Sequence, residues 1–294
     1  MKLKEMSIFL GLVFPLAAFS AEGYQSEVGL GYEATENSTE ESSEYVLSLK
    51  FYNTDIKDKK YPYRLAAEID RKSSFEFKGG YKTYKVGLLD LNGMNYEVGA
   101  RYANSSSPVS FYGKYGSGSV SGTEGDSIFV SEKLKVTEKN SELGASIHFN
   151  PFTKISAIRT FEEASLHISD TYFSGTEMIT YGAEIQHIEN LSALNYLQLG
   201  ASYHKGDFTF LLDNLSSEVE VSMGELNVQY FFDKSTSFGV GVGKLDVAED
   251  KVDLFGFDFS TFLNSNLEFN LNYSKFSGDE NDIDTIILKL GHRF

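Results

Sequence analysis

The sequence predicts an all-β chain folded as a transmembrane antiparallel up-and-down β-barrel of about 14 strands. Three observations lead to this prediction. Apolar residues recur at every second position in many segments, 18 Tyr, 24 Phe and 26 Gly stand against only 4 Pro in 294 residues, and the chain ends in a Phe that follows alternating apolar residues. A period of two places the apolar side chains of a strand on one face. Helical periodicity is weak throughout the chain.

The composition excludes several classes of protein. No Cys is present, so the chain has no disulfide, no thiolate metal site and no Cys nucleophile. A formal charge of −16 argues against nucleic-acid binding, which needs basic residues to neutralise phosphates. The 5 His stand apart without the spacing of metal ligands, and the glycines of 239–243 share one strand face, unlike a nucleotide-binding loop. We therefore expect no metal, no cofactor and no nucleic-acid partner.

The N-terminus predicts a secretory signal peptide over residues 1–20. Lys2 and Lys4 form a positive start, an apolar run follows over residues 8–14, and Ala18-Phe19-Ser20 is a small-x-small cleavage site. The apolar run is shorter than the ~20 residues that a membrane-spanning helix needs, which disfavours the alternative of an uncleaved anchor. We expect cleavage after Ser20, with one barrel domain over residues 21–294.

Alternating apolar residues predict strands along the mature chain. A spanning strand needs ~9–11 residues, so residues 21–294 accommodate about 14 strands, with 12 and 16 as the neighbouring even numbers. Segments 73–90, 104–135 and 153–176 have an ambiguous pattern. The predicted strands contain residues Val28–Tyr32, Tyr45–Phe51, Tyr63–Ile69, Phe75–Phe77, Tyr96–Tyr102, Val109–Phe111, Leu143–Phe149, Ile179–Ile185, Leu197–Tyr203, Leu226–Phe232, Phe238–Val242, Leu267–Tyr273 and Ile286–Leu290.

Three features favour a membrane barrel over a soluble β-sandwich, which also alternates. Aromatic residues such as Phe51 and Tyr102 lie at strand ends, where interfacial girdles form. Glycines fall on the polar face of the strands, where a sandwich core would gain nothing from them. Short turns also alternate with longer acidic stretches, which are Thr35–Glu44, Val247–Lys251 and Ser277–Asp282. We expect the short turns in the periplasm and these acidic loops outside the cell.

The C-terminal segment carries a family resemblance. Leu288, Leu290 and the terminal Phe294 alternate in a way that resembles the last strand of Gram-negative outer-membrane barrels, although His292 stands where most members have Tyr or an apolar residue. Over the whole mature chain the architecture is similar to the smaller members of the general bacterial porin superfamily, without a Pro-Glu-Phe-Gly-Gly constriction motif. The resemblance implies a barrel in outer-membrane lipid, recognised by the barrel assembly machinery through Phe294, Leu290 and Leu288. It further implies passive diffusion of small hydrophilic solutes and ions.

The strand face opposite the apolar residues is expected to line a pore. In the second half of the chain this face is mostly neutral or acidic, as at Glu225 and Glu268. A basic wall facing it would create a transverse field that orients solutes; alternatively, these residues are only solvated and confer no selectivity. The expected pore-lining residues of the first half are Arg64, Glu68, Glu76, Lys78, Lys82, Glu97, Arg101 and Lys114.

Other functions are weighed against a diffusion channel. The basic wall would also suit a substrate-selective channel, for example one for acidic sugars. His167-Ile168-Ser169 has the His-x-Ser spacing of an outer-membrane phospholipase, but Asp170-Thr171 stands where that pattern has Asn-Gly. An adhesion or structural barrel with a closed lumen is a further alternative. The sequence favours a channel rather than an enzyme, and it leaves a homo-oligomer open.

Overall fold

The computed structural model describes residues 24–294 except 39, 57–60, 87–88, 124–132, 169–170, 193–194, 213–214, 249 and 279–281. Fourteen antiparallel strands pair in chain order, and the last strand pairs with the first to close a barrel. The predicted fold class and strand number are thereby confirmed. The strands are β1 Tyr24–Glu36, β2 Glu40–Ile56, β3 Ser74–Val86, β4 Leu89–Tyr102, β5 Val109–Thr123, β6 Lys133–Asn150, β7 Thr153–Ile168, β8 Thr171–Asn190, β9 Tyr196–Leu212, β10 Leu215–Phe231, β11 Thr236–Val247, β12 Asp250–Phe262, β13 Leu267–Ser277 and β14 Asp282–Arg293.

The seam between β1 and β14 closes the barrel. These strands pair without a register shift from Glu27 opposite Arg293 to Glu36 opposite Asp284. The pairing extends beyond Arg293, the last residue of β14. The carbonyl oxygen of Phe294 accepts a hydrogen bond from the backbone N–H of Gln25 at 3.0 Å. Closure leaves no free sheet edge, as a spanning sheet in lipid requires. The beginning of β1 and the end of β14 lie at the same end of the barrel, called the terminal end below.

The outer surface is apolar and aromatic. Phe51 on β2 and Phe75 on β3 are paired in register near the terminal end, and both side chains are about half exposed. Tyr102 and Phe111 form the next such pair around the wall. A row of exposed aromatic side chains at one end of the strands matches the girdle expected at a membrane interface.

The predicted acidic loops are wrong in extent. β1 runs to Glu36 and β2 begins at Glu40, so most of segment 35–44 is paired strand. β12 likewise begins at Asp250 and β14 at Asp282, within the other two expected loops. β13, with 11 residues, has the length that crosses a bilayer, and the other strands exceed it, up to the 20 residues of β8. The part of a strand that extends beyond the bilayer carries polar residues on both faces, which water can hydrate. Its backbone still forms the hydrogen bonds of the sheet, so the two strands continue as a paired hairpin.

The short turns predicted at the terminal end are present. The backbone N–H groups of Ser235 and Thr236 both donate to Asp233 Oδ1 at 2.7 Å between β10 and β11. Asn264 Oδ1 accepts from the backbone N–H groups of Asn266 and Leu267 at 2.9 Å between β12 and β13. Asp and Asn oxygens that accept from the following backbone close tight turns without further residues.

One connection at the terminal end is long and contains a helix. It joins β2 to β3, and its one-turn helix α1 covers Ala66–Ile69. The strand predicted over Tyr63–Ile69 is therefore wrong: the buried residues there are Leu65, Ala66 and Ile69, a helical rather than alternating set. Arg71 ends the helix with a φ of 49°, in the left-handed region typical of helix termini. In the described part of the chain no helix is long and apolar enough to cross a membrane.

Candidate functional site in the barrel interior

Residues 61–73, called the inner segment below, lie across the barrel interior at the terminal end. The Arg64 guanidinium contacts Asp258 on β12. On the other side, Glu68 contacts Lys154 on β7. The backbone N–H of Tyr63 also donates to the carbonyl of Lys234, between β10 and β11, at 2.9 Å. A segment that joins β2 to β3 and reaches all these strands must span the lumen.

An apolar core inside the barrel holds the inner segment. Leu65 and Ile69 pack against Ile188, Tyr196 and Phe231 from the terminal ends of β8, β9 and β10, and all five are at most 4% exposed. Burial of side chains of this size contributes about 1.5–3 kcal/mol each. Ile188, Tyr196 and Phe231 lie on the inward face of their strands, which is otherwise mostly polar. Apolar residues at these inward positions are the sequence pattern that could have predicted a core inside the barrel.

Hydrogen bonds and charges supplement the core. Asp258 binds the Arg64 side chain and also accepts from Gln229 Nε2 at 2.9 Å and from Asn270 Nδ2 at 3.0 Å. Asp258 was not among the predicted site residues, because β12 was not predicted as a strand. The sequence did contain a pattern that predicts this strand, because Phe255, Phe257 and Phe259 alternate with Gly256 and Asp258. Arg71 binds the turn after β4, where its Nη1 donates to the Ser107 carbonyl at 2.8 Å.

Glu68 keeps its charge in this buried position. Burial alone would raise the pKa of its carboxyl group. Lys154, the nearby Arg101 and a hydrogen bond from Gln186 outweigh that effect, so the pKa of Glu68 lies below its ordinary value. Gln186 Nε2 donates to Glu68 Oε2 at 3.3 Å. The carboxylate is thus an ionised anchor between the inner segment and two strands of the wall.

Several predicted site residues on strands form ion pairs. Lys82 on β3 reaches Glu138 on β6 at 2.9 Å, across two intervening strands, so both side chains lie inside the barrel. Lys78 pairs with Glu97 at 2.7 Å. These contacts balance much of the charge on the expected basic wall. The other predicted pore-lining residues lie as follows. Glu76 lies 3.7 Å from Lys78, and Lys114 lies 3.6 Å from Glu142.

Arg101 lines the lower part of the interior and forms no ion pair among the described residues. Arg64 and Glu68 belong to the inner segment.

Two of the cavities inside the described part of the barrel differ in the charge of their lining. The upper cavity, toward the end opposite the termini, measures about 440 Å³ and is lined by four acidic residues, Glu33, Glu44, Glu97 and Glu138, against Lys78 and Lys289. The lower cavity measures about 330 Å³, and the inner segment forms part of its lining. Its charged lining residues are Glu27, Lys50, Arg64, Glu68, Lys72, Arg101, Glu268, Lys289 and Arg293. The lining of the upper cavity therefore carries more acidic than basic residues, and that of the lower cavity carries more basic than acidic residues.

The histidine of the weighed phospholipase pattern contacts a serine of its own strand. His167 Nε2 lies 3.2 Å from the Ser165 hydroxyl. Ser169, the serine of the weighed phospholipase pattern, lies outside the described residues, as does the predicted signal peptide. Within the described ranges, no group of His, Asp and Glu side chains is arranged to hold a metal ion.

Comparison with known proteins shows the same fold. No protein-family model and no curated relative matches the sequence. The outer membrane protein Omp33 of Acinetobacter baumannii is 15% identical, and the match covers 94% of this chain and 100% of that one with a TM-score of 0.53. The CymD monoaromatic hydrocarbon channel is 12% identical over 92% of this chain and 89% of its own, with a TM-score of 0.58. The Ralstonia pickettii toluene transporter TbuX is 12% identical over 94% and 90%, with a TM-score of 0.53. The chain thus has the fold of Gram-negative outer-membrane β-barrel proteins, as its sequence resemblance implied.

Proposed function

We propose that this protein is an outer-membrane channel for small hydrophilic solutes and ions. One observation carries the proposal: a closed barrel with an aromatic outer surface encloses cavities lined by charged side chains. Charged side chains that face water-filled cavities attract or repel solutes according to charge, as in the linings of known channels. The folds it resembles include channels and a transporter, which supports the same conclusion.

We propose hydrophilic rather than hydrocarbon solutes. The hydrocarbon channels of similar fold are described as passing monoaromatic compounds. In this chain the upper cavity is lined by Glu33, Glu44 and Glu138 among other polar groups, and Asn95 donates to Glu44 at 2.9 Å across the wall. An apolar solute would desolvate these carboxylates without replacing their hydrogen bonds, which costs free energy.

The proposed orientation places the terminal end in the periplasm. The inner segment then narrows the periplasmic exit, and solutes entering from outside meet the acidic upper cavity first. Fixed carboxylates raise the local concentration of cations and lower that of anions at the entrance. We accordingly expect the pore-lining residues to act in two places, with Lys78, Lys82 and Glu97 higher and Arg64, Glu68 and Arg101 near the exit.

Planar-bilayer recording of the purified barrel tests this proposal. Stepwise conductance, together with a non-zero reversal potential in a salt gradient, is the expected result. A folded, heat-modifiable barrel that gives no conductance, either as the full chain or with the inner segment replaced by a flexible linker, would contradict the channel and favour a structural barrel. Lipid hydrolysis that the Ser169→Ala substitution abolishes would instead favour the phospholipase.

A further inference from the structure

The lower cavity holds more cations than its carboxylates can neutralise. Six cationic and three acidic side chains line it. All three carboxylates are engaged: Glu68 binds Lys154 and Gln186, while Glu27 and Glu268 lie 3.0 Å and 3.9 Å from the Arg293 guanidinium. Of the six cations, Arg64 is paired with Asp258 and Arg293 with those two glutamates.

Four cations remain: Lys50, Lys72, Arg101 and Lys289. Among the described residues none of them has a carboxylate oxygen within 4.0 Å. Three of them come from β14, β2 and β4, which lie in one stretch of the wall, and Lys72 comes from the inner segment, so all four line the same cavity. Like charges gathered around a cavity repel one another, and the three carboxylates of the lining offset only part of this cost because there are twice as many cations.

We propose that the lower cavity is a binding site for small multivalent oxyanions, which Lys50, Lys72, Arg101 and Lys289 hold together. This inference rests on the proposed channel and names a solute class for its lower cavity. The anion reaches that cavity from the terminal end, because the carboxylates of the upper cavity lower the anion concentration at the other entrance. A dicarboxylate and inorganic phosphate share the required chemistry, a compact charge of about two with several acceptor oxygens. The volume of about 330 Å³ lies within the range of small-molecule pockets. Lys and Arg donate to such oxygens through charge-assisted hydrogen bonds.

The bound anion would connect the inner segment to the wall. Lys72 follows α1 in the inner segment, whereas Arg101 and Lys289 belong to the barrel strands. An anion that contacts both parts removes their mutual repulsion and stabilises the folded arrangement around the exit. The anion is therefore expected to raise the thermal unfolding midpoint in a concentration-dependent way.

Isothermal titration calorimetry on the detergent-solubilised full chain tests the site. Succinate and sodium phosphate are titrated in separate arms at low ionic strength, with acetate and chloride as monovalent controls. Saturable binding of succinate, phosphate or both is expected, with weaker binding of the monovalent anions and a loss of affinity on adding salt. The arm with the tighter binding identifies which oxyanion the site prefers.

Two double variants separate a built site from general charge. Arg101→Gln/Lys289→Gln removes two of the four cations, and we expect roughly tenfold weaker binding or more. Lys205→Gln/Lys244→Gln removes the same charge from exposed lysines that pair with Glu220 and Asp253, and should change the affinity less than about twofold. Heat-modifiability confirms that each variant is folded.

The outcomes distinguish this inference from the channel itself. Absence of saturable binding of both multivalent anions, or unchanged affinity in the folded Arg101→Gln/Lys289→Gln variant, overturns the oxyanion site. Binding without any bilayer conductance retains the site and contradicts the channel. Conductance without binding retains the channel and overturns the site.

Discussion

The guanidinium of Arg293 donates a hydrogen bond of 2.8 Å to the carbonyl oxygen of Tyr63. The same side chain lies 3.0 Å from Glu27 and 4.5 Å above the Phe262 ring, and it is 7% exposed. The last residue of β14 therefore links the strand that closes the barrel to the segment that crosses its interior. One side chain thus contacts both the seam and the inner segment.

Replacing Arg293 by Ala should destabilise the barrel strongly. The change leaves the partly buried Glu27 and Glu268 without their cation, and the cost should approach the value of about 3–5 kcal/mol that is typical of breaking a fully buried pair. The measurement is the temperature at which the heat-modifiable band shifts. Lys244→Ala is the control, because its pair with Asp253 is exposed and worth about 0–1 kcal/mol. Equal midpoints for the two variants would contradict this role of Arg293.

Replacing residues 62–72 by a Gly-Ser linker of equal length should raise single-channel conductance. The linker cannot make the contacts of Leu65, Ile69 and Arg64 that hold the inner segment across the lumen. A milder variant, Leu65→Ala, should lower stability by about 2–5 kcal/mol and open the exit only in part. Conductance that stays at the wild-type value in the linker variant would show that the inner segment does not limit flow.

Acidification should loosen the inner segment through Glu68. Its pKa is lowered in the folded protein, so its stabilising contribution is present above the ordinary value of 4.5 and is lost as the pH falls through the lowered folded value. The Glu68→Gln variant lacks this contribution at every pH. We expect the difference in unfolding midpoint between wild type and variant to be large at pH 7 and to shrink as the pH falls below 4.5. A difference that is independent of pH would contradict the ionised anchor.

Deleting Phe294 should slow assembly of the barrel. The Phe294 carbonyl accepts backbone hydrogen bonds from Gln25 and Ser26, and its ring stacks on His292 at 5.4 Å, so the deletion weakens the seam as well as the proposed assembly signal. Pulse-chase measurement of the heat-modifiable form follows the rate, and secretion should be unaffected. Phe294→Tyr keeps an aromatic ring and is expected to assemble at close to the wild-type rate.

An epitope inserted after Asn37 should be accessible on intact cells. Residue 37 lies between β1 and β2 at the end opposite both termini. A matched tag after Ser265, between β12 and β13 at the terminal end, should bind antibody only after permeabilisation. The reverse pattern would invert the proposed orientation.

Much of the fold could be predicted because strand alternation is a local property. The outward residues Phe51 and Tyr102 and the inward residues Lys78 and Arg101 follow from parity once a strand is recognised, and the structure has them on those faces. The number of strands follows from chain length and bilayer thickness. The seam could be anticipated from the alternating end of the chain at Phe294.

The inner segment and the pairing of charges were decided by tertiary structure alone. The positions of Leu65 and Ile69 fit an alternating pattern as well as a helical one. The helix is buried because Leu65 and Ile69 pack against apolar residues such as Ile188 and Phe231, which are distant in the sequence. Lys82 and Glu138 lie on strands separated by two others, so their contact depends on the curvature of the closed wall. Sequence parity determined which face each side chain occupies, because that depends on the backbone of one strand. The tertiary structure decided which charges remained unpaired, because that depends on distances across the lumen.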